Sequence, residues 1–249
     1  MKRFSVLAMI SGLAVLALAV PHLPNVFALE HEDDPASVKI LDSDSVVYGR
    51  TYSDWNAAWQ QWADSIPTAN HPLFDNGDCS VGQSGPVWFL GPKFIVAGST
   101  TNPSSVVRSC NVPAGKALYV AVYNAEDSTL EESAPTANHF TQIGQLRAAV
   151  AYVMDPVTDL SMQVDGKGIP DIKDRFRMQS PAYTFTLPAD NFFNALGEGP
   201  FEAGTYSPAV DDGYYVMVAP LPAGHHTIHF HGVAGPYVQD VTYHLHVPR

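Results

Sequence analysis

Hydrophobic positions first recur at helical spacing in YSDWNAAWQQWADSIP, where Trp55, Trp59, Trp62 and Ile66 stand at i, i+4, i+7 and i+11. That stripe predicts one amphipathic helix, with Ser53 as N-cap, Asp54 in the first turn and Pro67 as its stop. A tryptophan stripe can be a sugar-stacking platform, but at this spacing it reads as core. Downstream, PVWFLG, KFIVAG, SVVRSCNV and ALYVAVYN are short apolar runs bounded by Gly, Pro and Asn, which predicts strands. A second helix is expected from about Ala137 to Met154, with Phe140, Ile143, Arg147, Val150 and Met154 along one side and Asp155-Pro156 at its end. LSMQVDGKGIPDI, AYTFTLP and GYYVMVAPL continue the strands, with a short helical piece at DNFFNAL, and HHTIHFHG and DVTYHLHV close the chain. The pattern predicts a mainly β protein: an antiparallel β-sandwich, immunoglobulin-like or jelly-roll-like, with two or three short helices.

The two ends of the chain differ. Lys2 and Arg3 precede the uncharged run Phe4 to Val20, and Val26-Phe27-Ala28 puts small residues at −3 and −1 of a cleavage site. Residues 1–28 therefore read as a signal peptide, in preference to an uncleaved anchor at the lower edge of spanning length. Residues 29–47 are acidic and aperiodic, a flexible mature N-terminus, and 48–249 form a single sandwich domain. Export (secreted, periplasmic or at the cell surface) makes a disulfide between Cys79 and Cys110 the default. The bridge would be worth about 3 kcal/mol in loop entropy.

Charge narrows the partners. The chain has 13 Lys and Arg against 25 Asp and Glu, a net charge of −12, and loss of residues 1–28 removes two of the cations. Nucleic acid and anionic membranes would be repelled, so no membrane contact is expected beyond an uncleaved signal anchor.

Several candidate sites have plainer readings. VDGKGIPD resembles a calcium loop at Asp165 and Asp171, yet Lys167 stands inside it and Asp-Gly is a hairpin signal. GQSGP has Pro86 where a nucleophile elbow around Ser84 needs glycine. Glu126, Asp127, Glu131 and Glu132 in YNAEDSTLEES could be an acid–base pair or a cation site, but read as a solvated loop. Arg175 and Arg177 could share a strand face and are most simply ion-pair partners.

Six of the ten histidines fall in the last 26 residues. Strand alternation puts His226 with Ile228 and Phe230 on the buried face, and Val241, Tyr243, Leu245 and Val247 on the matching face of the next strand. His225, His229, His231, His244 and His246 then share the opposite face with Thr227, Thr242 and Asp240. As a hairpin, one register sets His231 across from His244 and His229 from His246. A slide by two pairs His229 with His244. The first could hold zinc or copper; the bland alternative is a polar sheet surface.

The combination of WNAAWQQWADSIP, HPLFDNGDC, PVWFLG, VPAGKALYV, RFRMQSPAYTFTLP and DGYYVMVAPLPAGHHTIHFHG resembles an uncharacterised group of exported prokaryotic proteins. The resemblance spans most of the mature chain and implies an exported β-sandwich without an assigned activity. Of the histidines, only His226 stands where that pattern expects one. The preferred functional expectation is a non-enzymatic exported protein whose histidine face binds a divalent metal, zinc or copper, or a partner, including an envelope or extracellular protein or a second copy. One alternative is a metal-dependent hydrolase or oxidase with His229, His231 and His244 or His246 as ligands and Asp240 or a carboxylate of 126–132 as base. The other is a pH-responsive envelope or matrix protein.

Overall fold

Alternating strands of this length bury one face each, and here they do so against one another in two five-stranded sheets. The computed structural model describes residues 38–94, 105–135 and 137–249, all in one compact unit. The predicted signal peptide and most of KFIVAG lie outside the described residues. The first sheet runs β1 (Val87–Leu90), β3 (Ala117–Ser128), β8 (Gly204–Val218), β6 (Arg177–Gln179), with β7 (Tyr183–Leu187) also paired to β8. The second runs β2 (Val106–Asn111), β10 (Tyr237–Val247), β9 (Gly224–Ala234), β4 (Val157–Val164), β5 (Lys167–Gly168).

The sandwich is mixed, which corrects the antiparallel expectation: β1 runs parallel to β3, and β2 parallel to β10. Hairpins force antiparallel pairing, but β1 and β2 are consecutive strands placed in different sheets. The chain leaves β1 for the other sheet before returning as β3, and β2 lies far in sequence from β10, so neither parallel pair is joined by a hairpin. The true hairpins are tight. Asp165 and Gly166 join β4 to β5 with φ of 51° and 75°, as the Asp-Gly signal predicts. Where the two sheets meet, a Cβ on Gly232 would lie 2.8 Å from Tyr123 Cδ2, so this strand approach requires glycine.

Helix α1 (Tyr52–Asp64) covers the other face of the first sheet, with the Trp59 ring 6.0 Å from Tyr215 and Tyr52 5.6 Å from Tyr119. Its N-cap is Thr51, one turn-residue pair earlier than Ser53, because Thr51 and Asp54 form a reciprocal capping box. Trp55, Trp59, Trp62 and Ile66 are all buried. Each indole N–H donates to a carbonyl, of Val47, Leu90 and Val81 respectively. Burial of each ring stabilises by about 4–6 kcal/mol of transfer free energy. The tryptophan stripe is core.

Helix α2 (Ile143–Met154) starts later than expected and turns Leu146, Val150 and Met154 inward, leaving Ile143 exposed. Two short helices, α3 (Ile172–Arg175) and α4 (Phe192–Leu196), bring the helices to four among the described residues. Arg175 closes α3 and Arg177 opens β6, so they share no strand face. Both are ion-paired, Arg175 to Asp42 and Arg177 to Asp155 and Asp212. Residues 38–47 of the acidic N-terminal segment are laid on the fold rather than loose. Ile40 bridges Val218, the Leu41 N–H donates to the Met217 carbonyl, and Val38, Ile40 and Val47 pack on the core. Cys79 and Cys110 form a disulfide, with Cα atoms 5.8 Å apart.

Candidate functional site

The histidine face divides into two groups. Strands β9 and β10 pair with Asp240 across from His231, Thr242 from His229, Thr227 from His244, and His225 from His246. Neither the register that sets His231 across from His244 nor the one that sets His229 across from His244 is adopted, because the two residues between Ala234 and Tyr237 set the pairing. At one end His229 Nε2 is 2.7 Å from Asp240 Oδ1, with His231 Nδ1 4.0 Å from the same oxygen. At the other, the rings of His225 and His246 stand 4.9 Å apart, and His246 Nδ1 is 3.1 Å from Asn111 Oδ1. His244 Nδ1 lies 3.5 Å from Thr227 Oγ1. Among the described residues no three His, Cys, Asp or Glu side chains converge to hold a metal ion. His226 takes the core side with Ile228 and Phe230. Its side chain is 10% exposed, with Nδ1 2.7 Å from Asp165 Oδ2 and Nε2 2.9 Å from the Pro222 carbonyl.

A second constellation lies where a solvated acidic loop was expected. Strand β3 continues through Glu126 and Asp127 to Ser128, and the chain then turns through Glu131–Ser133. A bulge at Val122 decides which way these carboxylates point. Ala121 pairs with Tyr215 and Tyr123 with Tyr214, so β3 carries one extra residue and its alternation reverses. Tyr119 and Ala121 lie on the α1 face, and beyond the bulge it is Asn124 and Glu126 that do. Glu126 thereby stands directly across from Asp211 on β8, where two like charges would repel.

Asp211 is fully buried and well supplied with donors: Gln60 Nε2 at 2.7 Å, Tyr215 Oη at 2.8 Å and Asn56 Nδ2 at 3.2 Å. Glu126 accepts a hydrogen bond from the Tyr183 hydroxyl, and its carboxyl is within hydrogen-bonding reach of that of Glu131. Glu126 Oε1 and Glu131 Oε2 are buried with no donor from the described residues, as are Asp127 Oδ2 and both oxygens of Asp64. Asp64, the last residue of α1, is 0% exposed. Two ionised carboxylates have no proton to share, so the Glu126–Glu131 contact is satisfied only when the pair carries at least one proton.

Burial acts in the same direction. Desolvation, opposed by the Tyr183 and Glu131 hydrogen bonds, raises Glu126 to about 8. Burial and then the Glu126 charge push Glu131 well above the ordinary range. Asp64 is raised by burial and by Glu126 and Asp211. Asp211 is raised to about 7 by burial against its hydrogen-bond donors, and Asp127 to about 7 by burial and Glu132. Titratable groups so displaced gather at functional sites.

The pair has access to solvent. Strand β1 covers the outer edge of β3 only as far as Val120, eight residues short of the end of β3. Along the uncovered edge lies a pocket of about 410 Å³. Its walls include Trp59, Phe94, Tyr123, Phe192, Phe193 and Tyr237, and its polar groups include Gln60, Asn124, Glu126, Glu131 and Glu198. Phe94 and Phe192 stack with centroids 4.7 Å apart. Lys93 also lines it, with its ammonium 2.9 Å from Asp75.

The sequence held two signals for this site. No Lys or Arg occurs between Lys116 and Arg147, so four acids follow an apolar strand without a local counter-charge. Asp64 also ends a helix, where a carboxylate opposes the dipole. Ser84 lies on an exposed loop. Compared with known protein families, curated proteins and solved structures, the chain matches none, and the resemblance to exported prokaryotic proteins rests on its quoted motifs alone.

Proposed function

We propose that this is an exported small-molecule-binding protein whose site is the pocket along the free edge of β3, with the Glu126–Glu131 pair as its polar anchor. The observation that carries this reading is the set of buried carboxyl oxygens that no donor of the described chain reaches, beside an aromatic pocket of about 410 Å³. Such groups cost stability unless a partner satisfies them, and a ligand with donor groups does so. The volume and the mix of apolar wall and few polar groups are those of small-molecule sites. Glycosidic acid pairs stand ~5–9.5 Å apart; a hydrogen-bonded pair belongs to the proton-sharing kind instead.

A thermal-shift screen tests it. Val153 lines the pocket from α2 and is 48% exposed, so Val153→Trp fills the mouth without disturbing the core. Ligands that stabilise the wild type are expected to lose their effect on this variant. Hits that stabilise both proteins equally would remove the pocket as the site.

A second reading keeps the histidine face as a zinc or copper site, now limited to the His225–His246 pair. The favouring observation is the 4.9 Å separation of the His225 and His246 rings, close to that of two cis ligands each ~2.0–2.1 Å from one zinc. Asn111 beside His246 Nδ1 leaves Nε2 for the metal. Titration of the tag-free protein with zinc or copper is expected to saturate at one ion and to weaken in His246→Ala but not in His231→Ala. Equal binding by both variants would end this reading.

A further inference from the structure

Resting on the pocket reading above, we infer that the ligand is an organic amine, bound as its ammonium ion with an apolar body against the Phe94–Phe192 stack and Trp59. Three glutamates, Glu126, Glu131 and Glu198, line the pocket, and the lysine that lines it is already ion-paired to Asp75. The site therefore offers more acceptor oxygens than donors. An ammonium group carries three donors and no acceptor, the complement of carboxyl oxygens without donors. The aromatic walls favour a cation over a neutral group of equal size. A chain of net charge −12 also raises the local concentration of cations. A carboxylate or phosphate ligand would bring further acceptors to a site short of donors.

Binding has a definite proton balance. Burial keeps both carboxyls of the free pair protonated at neutral pH. The ligand enters already protonated, its N–H groups take over the acceptor oxygens, and the Glu126 proton leaves to the buffer while Glu131 keeps its own. No other bond is made or broken. Ammonium binding near pH 7 therefore releases about one proton per ligand.

Calorimetry of the wild type with 2-phenylethylamine, 2-phenylethanol and 3-phenylpropionate, in buffers of different ionisation enthalpy, reads both quantities. The amine is expected to bind at least about tenfold more tightly than the alcohol, with about one proton released and no binding of the acid. Glu126→Gln is expected to abolish the proton release and the preference for the amine. Should that variant not fold, the wild-type comparison alone still decides. If the alcohol binds as tightly as the amine without proton release, and Val153→Trp blocks both, the amine assignment falls while the pocket stands as the site. If no probe binds, or Val153→Trp leaves binding unchanged, amine and pocket fall together.

Discussion

Replacing Glu126 with glutamine tests the buried carboxyl pair through stability, without a ligand. Gln matches the shape of Glu, can still accept from the Tyr183 hydroxyl, and can donate its amide N–H to Glu131. In the folded wild type, Glu126 keeps its proton up to about pH 8, chiefly because of burial; in the unfolded chain it releases it near 4.5. A folded pKa raised above the unfolded one contributes stability that is complete below the unfolded value and is lost as pH rises through the folded value. Between about pH 6 and 9 the wild type should lose about 2.5 kcal/mol from this group alone. For a domain of this size that is about 5–10 °C in Tm. Asp211 and Asp127, both raised to about 7, lose stability over the same interval and leave the variant a residual slope. Urea midpoints or Tm values of wild type and Glu126→Gln, taken every half pH unit, should therefore diverge in favour of the variant as pH rises. Parallel curves with a constant offset would refute the reasoning, because they would mean that Glu126 has the same proton affinity folded and unfolded.

Other outcomes follow from single contacts. A Cβ on Gly91 would fall 2.4 Å from Trp59 Cζ2, so Gly91→Ala should cost about 1–3 kcal/mol in chemical denaturation and disturb the pocket wall, seen as a changed tryptophan fluorescence. Loss of the Cys79–Cys110 bridge in the Cys79→Ser, Cys110→Ser variant should lower stability by about 3 kcal/mol, measured as a shift in urea midpoint. His71 is fully buried, donating from Nε2 to the Ala63 carbonyl and accepting the Leu73 N–H at Nδ1, which defines a neutral ring. Burial lowers it to about 4. The unfolded chain therefore takes up the proton first, and as pH falls from about 6.5 to 4 stability should drop by about 3 kcal/mol on its account; His71→Gln, monitored by circular dichroism, should remove that component.

The hydrophobic pattern alone determined which residues are core. The period of the tryptophan stripe, the alternation in the last two strands and the Asp165-Gly166 turn are local properties, set by the geometry of single elements, and each reappears in the fold. The inward turn of His226 was legible for the same reason. What the chain could not express locally is how elements meet. The pairing of His225 with His246, and of His231 with Asp240 rather than His244, depends on a two-residue turn acting on strands whose outward faces are polar in every register. The parallel edge strands depend on the crossing of the chain between sheets. Most of all, the Glu126 site depends on a single extra residue at Val122, which reverses the alternation of β3 and aims Glu126 at Asp211 and the end of α1. An acidic run after an apolar strand reads as solvent-exposed, because carboxylates are costly to bury. Only the tertiary structure brings Asp64 and Tyr183 to it from distant stretches of chain and turns Glu131 back beside it, and makes that burial the property from which a function is inferred.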